Sequence, residues 1–192
     1  MPATTLTIDF ITSLDGYGGA EGWPGFWGLE GPEYLAWLGE QAQQPFTYLM
    51  GATTYRQMSA LVAHGEPGTE TLTDAPKVVF SRTLTEPLEW ANTELVAGDA
   101  VGAVGAMKAS ARGPLSTLGS VSLCRSLLEA GLVDRLRVVV FPVITGKTGR
   151  GRIYDGYPDV SLDLIEHRTF DGRLQLLEYV PTVLAGPPVV SN

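Results

Sequence analysis

The chain changes its rhythm near Gly131, and that change limits the folds open to it. Before it, short β-branched or aromatic runs alternate with segments of helical period. Residues 5–12, TLTIDFIT, read as a strand, and Pro32 opens a helix with Tyr34, Leu35, Leu38 and Ala42 on one stripe. Strands follow at 46–50, 77–80, 94–96 and 115–118, with helices over 53–62, 101–110 and 120–130. Residues 64–76 read as a loop. Beyond Gly131 come extended runs: 136–143, then 161–170 and 173–180, the last two joined by Asp171-Gly172, a hairpin signal. Alternation of this kind demands a mostly parallel sheet with helices on its faces, and the closing hairpin adds antiparallel edge strands. The expected fold class is therefore α/β: three layers, a mixed and mostly parallel sheet, and a C-terminal antiparallel hairpin.

Composition closes off other classes. With 192 residues, 44% hydrophobic, the chain can bury one core, expected over residues 1–183, with a flexible tail at 184–192. A net charge of −8 argues against nucleic acid. The apolar run 138–144 is too short for a bilayer and contains Pro142, so no membrane partner is expected. The N-terminus lacks a basic and apolar leader, and the single Cys124 suits a reducing cytoplasm. His64, His167 and Cys124 share no ligand spacing, so no metal site and no Ser–His or Cys–His relay is expected.

Ligands of parallel α/β sheets bind beyond the carboxyl ends of the strands. That rule singles out the loops 13–19, 51–54, 81–82 and 119–122. Gly51 permits close backbone approach, and Thr53 and Thr54 can offer hydroxyl and amide hydrogens at a helix start, or simply cap it. Ser81 and Arg82 close a strand, and arginine makes a bidentate anion grip or a solvated strand end. Gly119, Ser120, Val121 and Ser122 open a helix whose dipole favours an anion, or they form a tight turn capped by Ser120. Arg125 and Glu129 form an exposed i,i+4 pair. Trp23, Phe26 and Trp27 make a flap-like loop that either covers something apolar or packs on its own domain. Asp15 is an acid on the first exit loop or an Asp-Gly turn residue. Lys147, Arg150 and Arg152 form a flexible basic loop.

Six segments in order carry a resemblance: Ser13-Leu14-Asp15-Gly16, residues 49–55 (LMGATTY), 77–82 (KVVFSR), 119–123 (GSVSL), 131–134 (GLVD) and 141–147 (FPVITGK). They resemble the dihydrofolate reductase-like superfamily, and most closely the C-terminal reductase domain of bifunctional riboflavin-biosynthesis proteins. The resemblance implies NADPH as cofactor. It places Gly51, Thr53, Thr54, Ser81, Arg82, Gly119, Ser120, Val121 and Ser122 against the cofactor, with Arg82 on the 2′-phosphate. Ser13, Asp15 and Lys147 fall toward the substrate, and Asp15 and Glu33 are candidates for proton delivery. The family often carries arginine directly after the glycine of the second segment, whereas this chain has Ala52, and Arg56 follows one helical turn later. The implied reaction is hydride transfer to a small molecule, reducing 5-amino-6-(5-phosphoribosylamino)uracil. A pterin, carbonyl or imine substrate, and a nucleotide-binding domain without turnover, are the alternatives. A homodimer paired through sheet edges is also implied.

Overall fold

The structure is a computed structural model that describes residues 4–65, 69–110 and 113–187; the last five residues of the expected tail lie outside it. Strands β1 (Leu6–Ser13), β3 (Thr47–Gly51), β4 (Lys77–Phe80), β5 (Thr93–Val96), β6 (Leu115–Thr117), β7 (Arg135–Phe141), β9 (Val160–Phe170) and β10 (Leu174–Val183) form one sheet. Its order is β5-β4-β3-β6-β1-β7-β10-β9. All pairings from β5 to β7 are parallel, and the hairpin β9–β10 adds antiparallel to β7. Helices α1 (Pro32–Ala42), α2 (Ala52–Ala63), α4 (Ala100–Ala109) and α5 (Val121–Glu129) make the crossovers. The expected α/β class and its closing hairpin are what the chain adopts.

Right-handed crossovers put α1 and α2 on one face and α4 and α5 on the other. The strand pleat sorts side chains to match. Leu6, Ile8 and Phe10 face Leu123, Leu127 and Leu128 of α5, while Val139 and Phe141 face Tyr34 and Trp37 of α1. Leu49 and Val78 join the α5-side core, and their neighbours Met50 and Val79 pack with Tyr55 of α2. A one-residue register slip would exchange the two cores, so burial on both faces fixes the register.

Several local expectations need correction. Helix α1 buries Tyr34 and Trp37, not Leu35, which stays 49% exposed. The stretch 64–76 is not all loop: α3 (Glu70–Asp74) lies within it. Lys77 explains why so short a helix holds. Its ammonium donates to the carbonyls of Leu72, Thr73 and Ala75 at 2.6–3.0 Å and lies 4.7 Å from the Trp90 ring. The exit loop 13–19 and the basic loop are not free coil. Strands β2 (Tyr17–Ala20) and β8 (Gly149–Arg152) pair antiparallel as a ribbon, with Arg150 bonded to Glu21. Arg125 leaves its helix face and lies over Gly156, whose missing Cβ gives it room, so the pairing with Glu129 is not made. Trp27 of the aromatic loop is buried on Phe141, 5.1 Å between ring centroids, so that part of the loop packs on its own domain. Among the described residues no helix is long and apolar enough to cross a membrane.

Candidate active site

The parallel arrangement brings the carboxyl ends of β1, β3, β4, β6 and β7 to a common rim, where all four singled-out loops meet. At its centre two helix N-termini are tied together. Ser120, at the N-terminus of α5, accepts a 2.6 Å hydrogen bond from the Gly51 amide, at the N-terminus of α2. The Ser120 hydroxyl also bonds the Thr54 hydroxyl at 2.8 Å. Gly51 is tight against this contact: a Cβ there would stand 3.2 Å from Ser120 Oγ, whereas one on Gly119 would meet Thr54 Oγ1 at an ordinary 3.4 Å. Gly119 (φ +58) and Ser120 (φ +73) are successive left-handed residues, a conformation that turns consecutive amides toward one concavity. Neither helix start has a side-chain cap. Among the described residues, no acceptor takes the amides of Gly119, Ser120, Val121 and Ser122, or those of Ala52, Thr53 and Thr54. Thr53 and Thr54 stand in the first turn of α2 and not at its cap.

Two free helix N-termini side by side, each equivalent to about half a positive charge, suit a ligand with two adjacent anionic groups. The donor set is amide and hydroxyl, with no carboxylate among these residues. It fits the pyrophosphate of a dinucleotide.

Next to this centre stand β4 and its exit. Ser81 spends its hydroxyl on its own turn, accepting from the amides of Thr83 and Leu84, both at 3.1 Å. Arg82 is exposed and has no ion pair among the described residues.

On the other side, the β1 exit is fastened to the β7 exit. Ser13 donates to Asp15 Oδ1 at 2.6 Å and accepts from the Tyr17 amide. The Asp15 carboxylate also accepts from the amides of Thr145 (3.2 Å) and Gly146 (2.9 Å). These donors, the Ser13 hydroxyl first, hold the carboxyl at about 2, so it carries no proton to give at neutral pH. Glu33 accepts from the Asp171 amide at 2.6 Å, and Asp171 in turn accepts from the amides of Glu33 and Tyr34. This reciprocal cap fastens the β9–β10 turn to the start of α1. It needs Gly31, where a Cβ would stand 2.2 Å from the Asp171 carboxyl carbon. Lys147 lies exposed on the single-turn helix Gly146–Thr148, beside the Asp15 anchor.

The β7 exit is a fifth rim loop that the sequence reading did not count. It brings Thr145, whose hydroxyl is buried without a partner among the described residues. A hydroxyl residue just past an apolar strand was its visible signal. Cys124 is fully buried, its Sγ set against Thr117 and Gly119, and burial pushes its thiol up to about 12.

Comparison with known proteins agrees with this fold. The model of the RibD C-terminal domain matches residues 4–176, and no curated protein matches the chain. The fold resembles a putative riboflavin biosynthesis protein from Shewanella sp. PV-4, at 20% identity and a TM-score of 0.69, covering 93% of this chain and 99% of that one. It also resembles the diaminohydroxyphosphoribosylaminopyrimidine deaminase/5-amino-6-(5-phosphoribosylamino)uracil reductase of Thermotoga maritima, at 14% identity and a TM-score of 0.62. That match covers 94% of this chain and 57% of the bifunctional one. Dihydrofolate reductase from Enterococcus faecalis, complexed with NADP(H) and RAB-propyl, aligns at 15% identity with a TM-score of 0.62, covering 92% and 96%. With the domain's pattern running from β1 into β10 on a dihydrofolate reductase-like sheet, the chain belongs to the RibD C-terminal domain family.

Proposed function

We propose that this chain is an NADPH-dependent reductase of the riboflavin-pathway type, acting in the cytoplasm on 5-amino-6-(5-phosphoribosylamino)uracil or a close relative. The observation that carries the reading is the pair of uncapped helix N-termini joined through Ser120, with free amides facing the rim. NADPH, when bound, supplies the hydride that converts the open-chain ribosyl group to ribityl. The chain's own part is binding and orientation. Gly51, Thr53, Thr54 and residues 119–122 hold the pyrophosphate. The Asp15 anchor fixes the wall formed by the β1 and β7 exits, and Lys147 on that wall meets the substrate phosphate. With Asp15 ionised and Glu33 committed to its cap, the proton comes from water.

Tryptophan fluorescence, with Trp27 packed on Phe141 at the end of β7, is the readout for cofactor binding. Wild-type protein is expected to bind NADPH and to oxidise it at 340 nm with the phosphoribosylamino-pyrimidine. Ser120→Ala leaves the Gly51 amide without its acceptor and loosens the two helix starts. It should weaken NADPH about tenfold, since misplaced donors lose much of their value. Binding unchanged in Ser120→Ala would remove the helix pair from the site, and wild-type protein blind to NADPH would overturn the reading.

We also propose that the working form is a homodimer paired along β9. This edge strand is exposed over nine consecutive residues, with Leu164 and Ile165 about half exposed, and a bare edge of that length invites another strand. Sedimentation should give a dimer for wild-type protein and a monomer for Ile165→Lys; a monomeric wild type would refute the pairing.

A further inference from the structure

A hollow of about 300 Å³ lies on the α5 face of the sheet, and the reductase reading gives it no work. Its floor is aliphatic: Leu128 from the last turn of α5, Leu136 near the start of β7 and Leu162 near the start of β9. The turn 153–159, between β8 and β9, brings Tyr154, Tyr157 and Asp159 to the same hollow. Both ends of that turn are pinned. Ile153 is fully buried and its amide donates to the Gly16 carbonyl at 2.9 Å. At the other end the Asp159 carbonyl accepts from the Leu184 amide at 2.8 Å, and in the middle the Tyr157 amide donates to the Tyr154 carbonyl at 3.2 Å. The wall is therefore in place before any ligand arrives, which lowers the ordering cost of binding.

The two tyrosine rings stand nearly perpendicular, at 85°, with centroids 6.1 Å apart. Two aromatic faces set at a right angle make a corner that attracts positive charge through their quadrupoles. Elsewhere in the chain such faces are already taken. Arg152 lies over Tyr17, Arg137 over Trp37, Lys77 over Trp90 and Arg168 over Phe170. Among the described residues no Lys or Arg lies over Tyr154 or Tyr157. Asp159 is the one carboxylate lining the hollow; it is exposed and has no ion pair among the described residues. Arg125 is the base closest to this turn. It lies over Gly156 and does not line the hollow, so its charge opposes a bound cation from behind the turn.

We propose that this corner binds a small organic ammonium ion of the methylated, choline-like kind, with its charge on the Tyr154 and Tyr157 rings and the Asp159 carboxylate and its methyl groups on the leucines. A bare metal cation does not suit the place, because it needs several oxygen ligands and one carboxylate is offered. A methylated ammonium sheds water easily and presents apolar surface around its charge, which matches aliphatic walls beside an aromatic corner. The chain's net charge of −8 raises the local concentration of such cations. The site stands whether or not the rim binds NADPH.

The test is a proton NMR titration of the full chain with choline chloride, the ionic strength held constant with sodium chloride. Binding should move the trimethylammonium resonance upfield, because the methyl groups sit over two ring faces. Choline should bind about tenfold tighter than 3,3-dimethylbutanol, its neutral isostere. Tyr154 is 45% exposed, so it can be exchanged without emptying the core. Tyr154→Leu should weaken choline about tenfold, and Tyr154→Phe, which keeps the ring, should bind like wild type. Asp159→Asn should cost choline about fivefold and leave the alcohol unchanged, whereas Arg125→Gln should tighten choline about threefold. Equal affinity for choline and the alcohol would reduce the hollow to an apolar dimple and overturn the proposal. So would Tyr154→Leu binding like wild type, or no choline binding up to about 50 mM. Each of these results leaves the reductase reading as it stands.

Discussion

Replacing Arg137 with methionine should cost about 4 kcal/mol, because it strips a half-buried carboxylate of its buried counter-charge. Arg137 lies on the α1 face of β7 with its side chain 9% exposed, and it forks onto Asp9 Oδ2 through Nε (3.1 Å) and Nη2 (2.5 Å). Its Nη1 donates to Gln41 of α1 at 2.8 Å, and the guanidinium lies 5.0 Å from the Trp37 ring. One side chain therefore joins β1, β7 and α1. Methionine retains much of the stem's packing and none of the charge, and the Asp9 carboxylate is left without its partner. For a chain of this size the loss should appear as a fall in melting temperature of about 8–16 °C. The companion double variant Asp9→Leu with Arg137→Met removes both charges and should recover most of the loss. Additive losses in the double variant would mean that the pair is not coupled. NADPH affinity should be unchanged wherever the single variant is folded, because Arg137 lies within the β7 ladder and not at its exit.

Lys77→Met should cost about 3 kcal/mol, for a different reason. The ammonium is the common donor for the carbonyls of Leu72, Thr73 and Ala75, and the residue is 2% exposed. Methionine can keep the contact with Trp90, so the change isolates the polar loss. The three carbonyls would have to find water or remain unpaired, at about 1 kcal/mol or more each. A five-residue helix has little stability of its own, so α3 should lose hydrogen-exchange protection before the sheet does. Urea melts of wild type and variant measure the total. A shift under about 0.5 kcal/mol would show that these bonds are matched equally well by solvent. Lys77 opens β4 and stands away from its exit, so NADPH binding in the folded variant should persist.

Which parts of the site were legible follows from what each signal measures. Gly119-Ser120 at a strand-to-helix joint was readable, because a left-handed backbone and a helix start have local sequence requirements. Asp15 was visible as an acid, but its partners, the amides of Thr145 and Gly146, lie 130 residues away along the chain. No local pattern could show that its carboxylate was already spoken for. Glu33 presented the same difficulty, since its partner Asp171 belongs to the closing hairpin. The basic loop looked mobile because glycine and arginine are weak strand formers. Pairing with β2 overrides that preference. Leu35 was placed in the core by periodicity alone, whereas the wide ring of Trp37 takes that space against Phe170.

By itself the sequence determined the class of fold, the parallel-then-antiparallel order of pairing, and four of the loops at the strand exits. Those features follow from side-chain period and turn chemistry, which act over a few residues. Only the tertiary structure decided that Gly51 and Ser120 touch, and that Asp15 and Glu33 serve as fasteners. Each depends on which strands become neighbours in the sheet, and that is settled by burying both faces of the whole sheet at once.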